Sequence, residues 1–128
     1  MSTRSFICIE DEIQGFRGIY CHYDGYPEHV GSILVKHHNS ISAAEAIVFG
    51  PQIRNFDHDG TIARFGDGTP DDSEVYLGLE EALGSGFDYA YLYSTQDNCW
   101  KCFKSPRSSV QGYLEECEIP GNCPWEAA

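Results

Sequence analysis

The chain has 128 residues, 41% hydrophobic and 13% aromatic, enough to bury a core in one domain and too apolar for a disordered polymer. Twenty acids against eight Lys and Arg leave a formal charge of −12, which disfavours any nucleic-acid or anionic-membrane binder that works through phosphate contacts. The first residues lack a signal-peptide core and no uncharged apolar run reaches spanning length, so the expectation is a cytoplasmic protein, not membrane-bound, whose cysteines are reduced, metal-bound or buried.

In chain order, Phe6 to Glu10 alternates as a strand, and the aromatic and β-branched stretch Phe16 to Tyr23 is its hairpin partner across a turn at Gln14-Gly15. Asp24-Gly25-Tyr26-Pro27 turns the chain into a helix, with Pro27 and Glu28 in its first turn and Val30, Ile33, Leu34 and His37 on one face. Ser42 and Glu45 have capping-box spacing for a second helix, stopped by Gly50-Pro51. Asp57 to Glu74 reads as exposed hairpin and loop around a short strand at Thr61 to Phe65. Glu74 to Leu77 is a further strand, and Gly78 to Leu83 a short helix closed by Gly84 or Gly86. Tyr89, Tyr91 and Tyr93 alternate with Ala90 and Leu92 in a strand that turns at Gln96-Asp97-Asn98 toward Cys99 to Lys104. Ser108 to Glu116 reads as an amphipathic helix, and 118–128 as a tail that either folds back through Trp125 or frays. The expected fold class is α+β: a single domain over 1–128, mostly antiparallel sheet with N- and C-terminal hairpins and two or three short helices.

The run "IYCHYDGYPEHVG", Ile19 to Gly31, is dense in reactive groups. On a strand, Tyr20, His22 and Asp24 share one face and Cys21 the other, so Cys21 and His22 form no dyad and Cys21 reads as a small core residue. A carboxylate two residues from an imidazole can orient it, which makes His22, Asp24 and Tyr26, with His29, His37 or His38 from the helix, the candidate centre of a small enzyme or a metal- or small-molecule-binding domain. The same pair also makes an ordinary turn before a helix.

Cys99-Trp-Lys-Cys102 with Cys117 and Cys123 suggests a structural zinc site, although the second pair is spaced too widely for the usual two-residue gap. A regular strand would point Cys99 and Cys102 to opposite faces, so zinc would require a turn between them. Apart from that possible zinc, no cofactor is expected.

Between Asp57 and Asp88 nine acids face only Arg64. Such a surface suits a basic partner, with Asp57, Asp59, Asp67, Asp71, Asp72 and Glu74 supplying steering and register and Phe56, Phe65 and Tyr76 supplying contact area.

The stretch "TRSFICIE…GFRGIYCHYDGYPEHVGSILVKHH", residues 3–38, resembles the N-terminal signature of a family of small proteins encoded by bacteriophages and prophages, and "YAYLYS" followed by "CWKCF" is similar to that family's closing hairpin. The resemblance implies action inside an infected bacterium and no particular reaction. Combined with the charge, it makes the leading expectation an acidic, non-enzymatic binding protein. Its partner would be a host nucleic-acid-handling or defence protein with a basic surface, engaged as an anti-CRISPR or anti-restriction factor or a DNA mimic engages its target. The rivals are the enzyme or ligand-binding domain centred on His22 and Asp24, and a zinc-stapled structural factor.

Overall fold

The computed structural model describes residues 3–11, 15–66, 71–105 and 115–119. Its strands are β1 (Ser5–Asp11), β2 (Gly15–Cys21), β3 (Ile53–Phe56), β4 (Ile62–Arg64), β5 (Glu74–Tyr76), β6 (Tyr89–Ser94), β7 (Cys99–Lys104) and β8 (Glu115–Cys117). These eight strands of the described residues form one mixed sheet in the order β4-β3-β2-β1-β6-β7-β8, with β5 also on β2. Five pairings are antiparallel and two, β1 with β6 and β2 with β3, are parallel, so the expected α+β class holds with a mixed sheet at its centre.

Both faces of the sheet are covered, which is why β1 reads as a nearly unbroken apolar run. Ile7, Ile9, Ile19, Tyr91 and Trp100 point toward α1 (Ser32–His37) and α2 (Ile41–Val48). Phe6, Cys8, Ala90 and Leu92 point the other way, onto Leu79, Ala82 and Leu83 of α3 (Leu79–Gly84) and onto Phe87. Gly18 in β2 faces that second layer, where a Cβ would stand 2.5 Å from Phe6 Cζ, so the absence of a side chain makes room for the Phe6 ring.

The outer edge of β2 is divided end to end. β5 pairs antiparallel with Phe16, Arg17 and Gly18, and β3 takes over in parallel at Cys21, continued by the N–H groups of His22 and Tyr23 donating to Ile53 O and Arg54 O, both at 3.0 Å. Asp71 to Ser73 spans the junction: Asp72 N–H donates to Gly50 O, Gln52 N–H to Asp72 Oδ2, and the Arg17 guanidinium to Ser73 Oγ.

Three local readings need correction. The first helix opens with a wide π-type turn, Pro27–Gly31, in which Ser32 N–H reaches back to Pro27 O; Val30, Ile33 and Leu34 are buried as expected, whereas His37 projects over the turn at Gly60. The cap of α2 is Ser40, not Ser42: extended Ser40 accepts the Ala43 N–H at 3.1 Å, while Ser42 is exposed inside the helix. Ser40→Ala is expected to cost about 1 kcal/mol in urea unfolding, and Ser42→Ala no more than about 0.5 kcal/mol. Glu115 and Glu116 belong to a strand rather than a helix, because pairing with β7 outweighs the local amphipathic pattern; 108–114 and the tail from residue 120 lie outside the described residues.

Candidate protein-binding surface

β3 and β4 are joined by the turn Asp57-His58-Asp59-Gly60. Asp57 N–H donates to Thr61 O, Gly60 N–H to Asp57 O, and Thr61 N–H to Asp59 Oδ1. Gly60 sits at φ 93°, a region that favours glycine, and a Cβ there would stand 2.7 Å from His37 Cβ.

Three imidazoles from the preceding helical segment hold this turn. Nε2 of His29 donates to Phe56 O (2.9 Å), Nε2 of His37 to His58 O (3.2 Å) and Nε2 of His38 to Gly60 O (2.8 Å). A carbonyl only accepts, so each Nε2 carries the proton. The histidines considered as partners for His22 are thus engaged in tying the edge hairpin to the helical layer. His38→Ala is expected to destabilise by about 1–2 kcal/mol and to speed amide exchange at Gly60 and Thr61, read by hydrogen-exchange NMR.

His22 directly follows β2, and its Nδ1 shares a hydrogen bond with the Tyr20 hydroxyl; the two do share a face, as strand alternation requires. Burial raises the Tyr20 hydroxyl above its ordinary range. The His22 ring stands edge-on to Tyr23 and to Phe65, with centroids 4.4 and 6.0 Å apart. Asp24 has left the strand, at φ 55°, so alternation does not carry through to it, and Tyr26 is the residue that starts the π-type turn. On the other face, burial pushes the Cys21 thiol up to about 12, as befits a core residue rather than a nucleophile.

Of the cysteines, β7 runs as a regular strand, with Cys99 and Cys102 buried on opposite faces; Cys102 lies directly across from Cys117, and Cys123 is outside the described residues. Among the described residues no group of three or more His, Cys, Asp or Glu is placed to hold a metal ion.

The expected binding carboxylates fall into two groups. Asp57 and Asp59 are exposed at the hairpin tip, and Asp71, Asp72 and Glu74 are exposed at the junction of β3 and β5; Asp67 lies outside the described residues. The four residues of β3 separate the groups by about 13 Å, at about 3.3 Å per residue, which exceeds the screening length of about 8 Å at physiological salt, so the groups act as separate patches. Backbone N–H groups of Thr61 and Ser73 hold the Asp59 and Asp71 carboxyls below the ordinary carboxylate range. Their stabilisation is present above the unfolded value and is lost as pH falls through the lower folded values, so mild acid leaves the tip and the junction intact.

Of the expected contact aromatics, Phe65 is 40% exposed, with its N–H on Gln52 O at the junction end. Phe56 is a core residue, and Tyr76 is half-buried with its ring edge-on to Phe6. Sequence reasoning passed over two exposed apolar side chains: Phe49 at the end of α2, 49% exposed and beside Arg17 near the junction, and Leu77, 81% exposed at the far end of β5 beside Gly15. Each directly follows the last residue of its element and precedes a glycine, a position where the chain turns away and leaves an apolar side chain outside.

No protein-family model, curated protein or solved structure matches this chain.

Proposed function

We propose that this chain is a non-enzymatic binding protein of phage or prophage origin. It engages a basic surface on a host nucleic-acid-handling or defence protein, its carboxylates standing where phosphates would. The phage origin rests on the resemblance in residues 3–38.

The observation that supports the binding mode most is the fate of Arg64, the single base between Asp57 and Asp88. Its guanidinium turns inward and donates to the carbonyls of Pro51, Ala46 and Ile47, and among the described residues it pairs with no carboxylate. The junction patch combines three exposed acids, Asp71 among them near the Arg17 guanidinium, with the exposed side chains of Phe49 and Phe65, the mixture of charge and contact area that protein partners use.

The test is capture from infected bacterial lysate, followed by binding measurements on the captured protein. Asp71→Lys with Glu74→Lys is expected to weaken binding at least about tenfold and to flatten its salt dependence, and double-stranded DNA is expected to compete. Asp72 is left in place because its carboxylate holds Gln52 N–H twenty residues away, and since Asp71→Lys also gives up the bond from Ser73 N–H, the fold of the double variant is checked by its urea midpoint. Unchanged affinity in the double variant at low and high salt would reject the electrostatic mode.

A second reading, a small-molecule site at His22, draws on the Tyr20 hydrogen bond and the flanking rings of Tyr23 and Phe65. His22→Gln separates the two, since it leaves protein binding intact under the first and removes ligand binding under the second.

A further inference from the structure

Strand β8 is three residues long and closes the sheet at β7, pairing antiparallel with Cys102↔Cys117, Phe103↔Glu116 and Lys104↔Glu115. Residues directly opposite in such a ladder have Cα atoms about 4.5 or 5.5 Å apart, and both separations fall inside the range of about 4.4–6.8 Å that a disulfide spans. The two side chains leave directly opposed positions on neighbouring strands, so they project to the same face of the sheet. The other described cysteines do not compete: Cys8 is on the opposite face of the sheet, Cys99 is on the opposite face of β7, and Cys21 lies in β2 beside Ser5 of β1.

The geometry points to Cys102 and Cys117 as a cross-strand dithiol that oxidises to a disulfide, a covalent modification that fastens the last described strand to the sheet. Accessibility sets the order of events. Cys117 is half-buried, whereas Cys102 is fully buried beneath the helical layer. The Cys102 hydrogen bond and then the nearby Lys104 ammonium hold the Cys117 thiol below its ordinary range, while that same bond and then burial push Cys102 up. Cys117 is therefore the sulfur that attacks first.

With a low-molecular-weight disulfide such as oxidised glutathione as the oxidant, the Cys117 thiolate attacks one sulfur and expels a glutathione thiolate, leaving a mixed disulfide. Cys102 then loses its proton, attacks the Cys117 sulfur and expels the second thiolate. Two protein thiols are oxidised, one glutathione disulfide is reduced to two glutathiones, and the two protons end on those leaving groups.

The bond has a structural reach beyond β8. Ile119, two residues after Cys117, is buried where a Cβ on Gly31 would stand 2.8 Å from its Cγ2 and 3.2 Å from Tyr91 Cε1. Tyr91 in β6 in turn lies directly opposite Cys102 of β7 and donates its hydroxyl proton to Gly25 O at 2.6 Å. Fastening β8 therefore also fastens Ile119 over the π-type turn that follows β2.

The experiment equilibrates the full chain in glutathione buffers of rising oxidised fraction, alkylates the remaining thiols and maps the peptides. The expected result is a single linkage, Cys102 to Cys117, reversed by dithiothreitol. Because the bond closes a loop of about 15 residues, the thermal midpoint is expected to rise by about 5–15 °C, and amide exchange in β8 to slow. Cys117→Ser shows neither the linkage nor the shift; should that variant fold poorly, the linkage map of the unmutated chain decides alone. A glutathione adduct that persists on Cys117 while Cys102 remains alkylatable, a linkage of either cysteine to Cys123, or no oxidation at all would overturn the assignment.

Discussion

Trp100→Ala is expected to lower the unfolding free energy by about 4–6 kcal/mol, the largest effect of any single truncation considered for this chain. Trp100 is the largest fully buried side chain among the described residues, lies edge-on to Tyr93 with centroids 5.3 Å apart, and donates its indole N–H to His38 O at 3.0 Å. Truncation removes the transfer and cavity contributions of a buried aromatic, about 3–5 kcal/mol, together with the ring pair and the donor that satisfies His38 O. Against a typical domain stability of about 5–15 kcal/mol, the variant is near the limit of folding. Trp100→Phe keeps most of the ring and loses the donor, so its cost is expected at about 1–3 kcal/mol. Urea titrations read both, and a cost under about 2 kcal/mol for Trp100→Ala would show that the layer collapses onto the vacancy.

The same tryptophan bears on the candidate surface. Its N–H anchors His38, whose imidazole holds Gly60 O at the hairpin tip that carries Asp57 and Asp59. Loss of the indole is therefore expected to loosen the tip beyond the core, visible as faster exchange at Gly60.

Arg64→Met is expected to cost about 2–4 kcal/mol while leaving partner affinity within about threefold. The guanidinium ties the last turn of α2 to the chain that follows it, donating to Ala46 O (3.0 Å), Ile47 O (2.9 Å) and Pro51 O. Ala46 and Ile47 carbonyls lie where a helix has no further N–H to offer, and a cation there also suits the negative end of the helix dipole. Methionine fills comparable space without a donor and leaves those carbonyls unmet. Arg64→Lys keeps the charge but not the planar fork, so it is expected to recover no more than about half of the loss. Gly50 is part of the arrangement, since a Cβ there would stand 2.8 Å from Arg64 Nη1. Because the guanidinium faces inward, its removal changes the net charge by one unit and the exposed patch hardly at all. Below the melting temperature of the variant, stability falls and binding stays. A matching loss of affinity would place Arg64 at the partner interface instead.

The contrast between these side chains and the acids shows where sequence reasoning reaches its limit. The strands of both hairpins were legible because β1, β2, β6 and β7 carry alternating or continuous apolar runs, and local patterning alone demands burial of such runs. The start of α2 was legible only approximately, since Ser40 and Ser42 both offer an oxygen and the extended backbone at Ser40 decides which one caps. At the candidate surface, the number of carboxylates and the isolation of Arg64 could be read directly, but not that β3 splits those carboxylates into a tip and a junction, nor that the histidines after Pro27 hold carbonyls of a turn about twenty residues away or more.

By itself, then, the sequence determined the class of fold, the central strands and the strongly negative charge, all of which follow from short-range periodicity and composition. The tertiary structure alone decided the parallel pairings of β1 with β6 and β2 with β3, the strand at Glu115–Cys117, the inward turn of Arg64 and the meeting of Cys102 with Cys117. The physical reason is the same for each: these contacts join residues far apart along the chain, and their energies depend on which surfaces the packed sheet brings together, a quantity that no local window of residues contains.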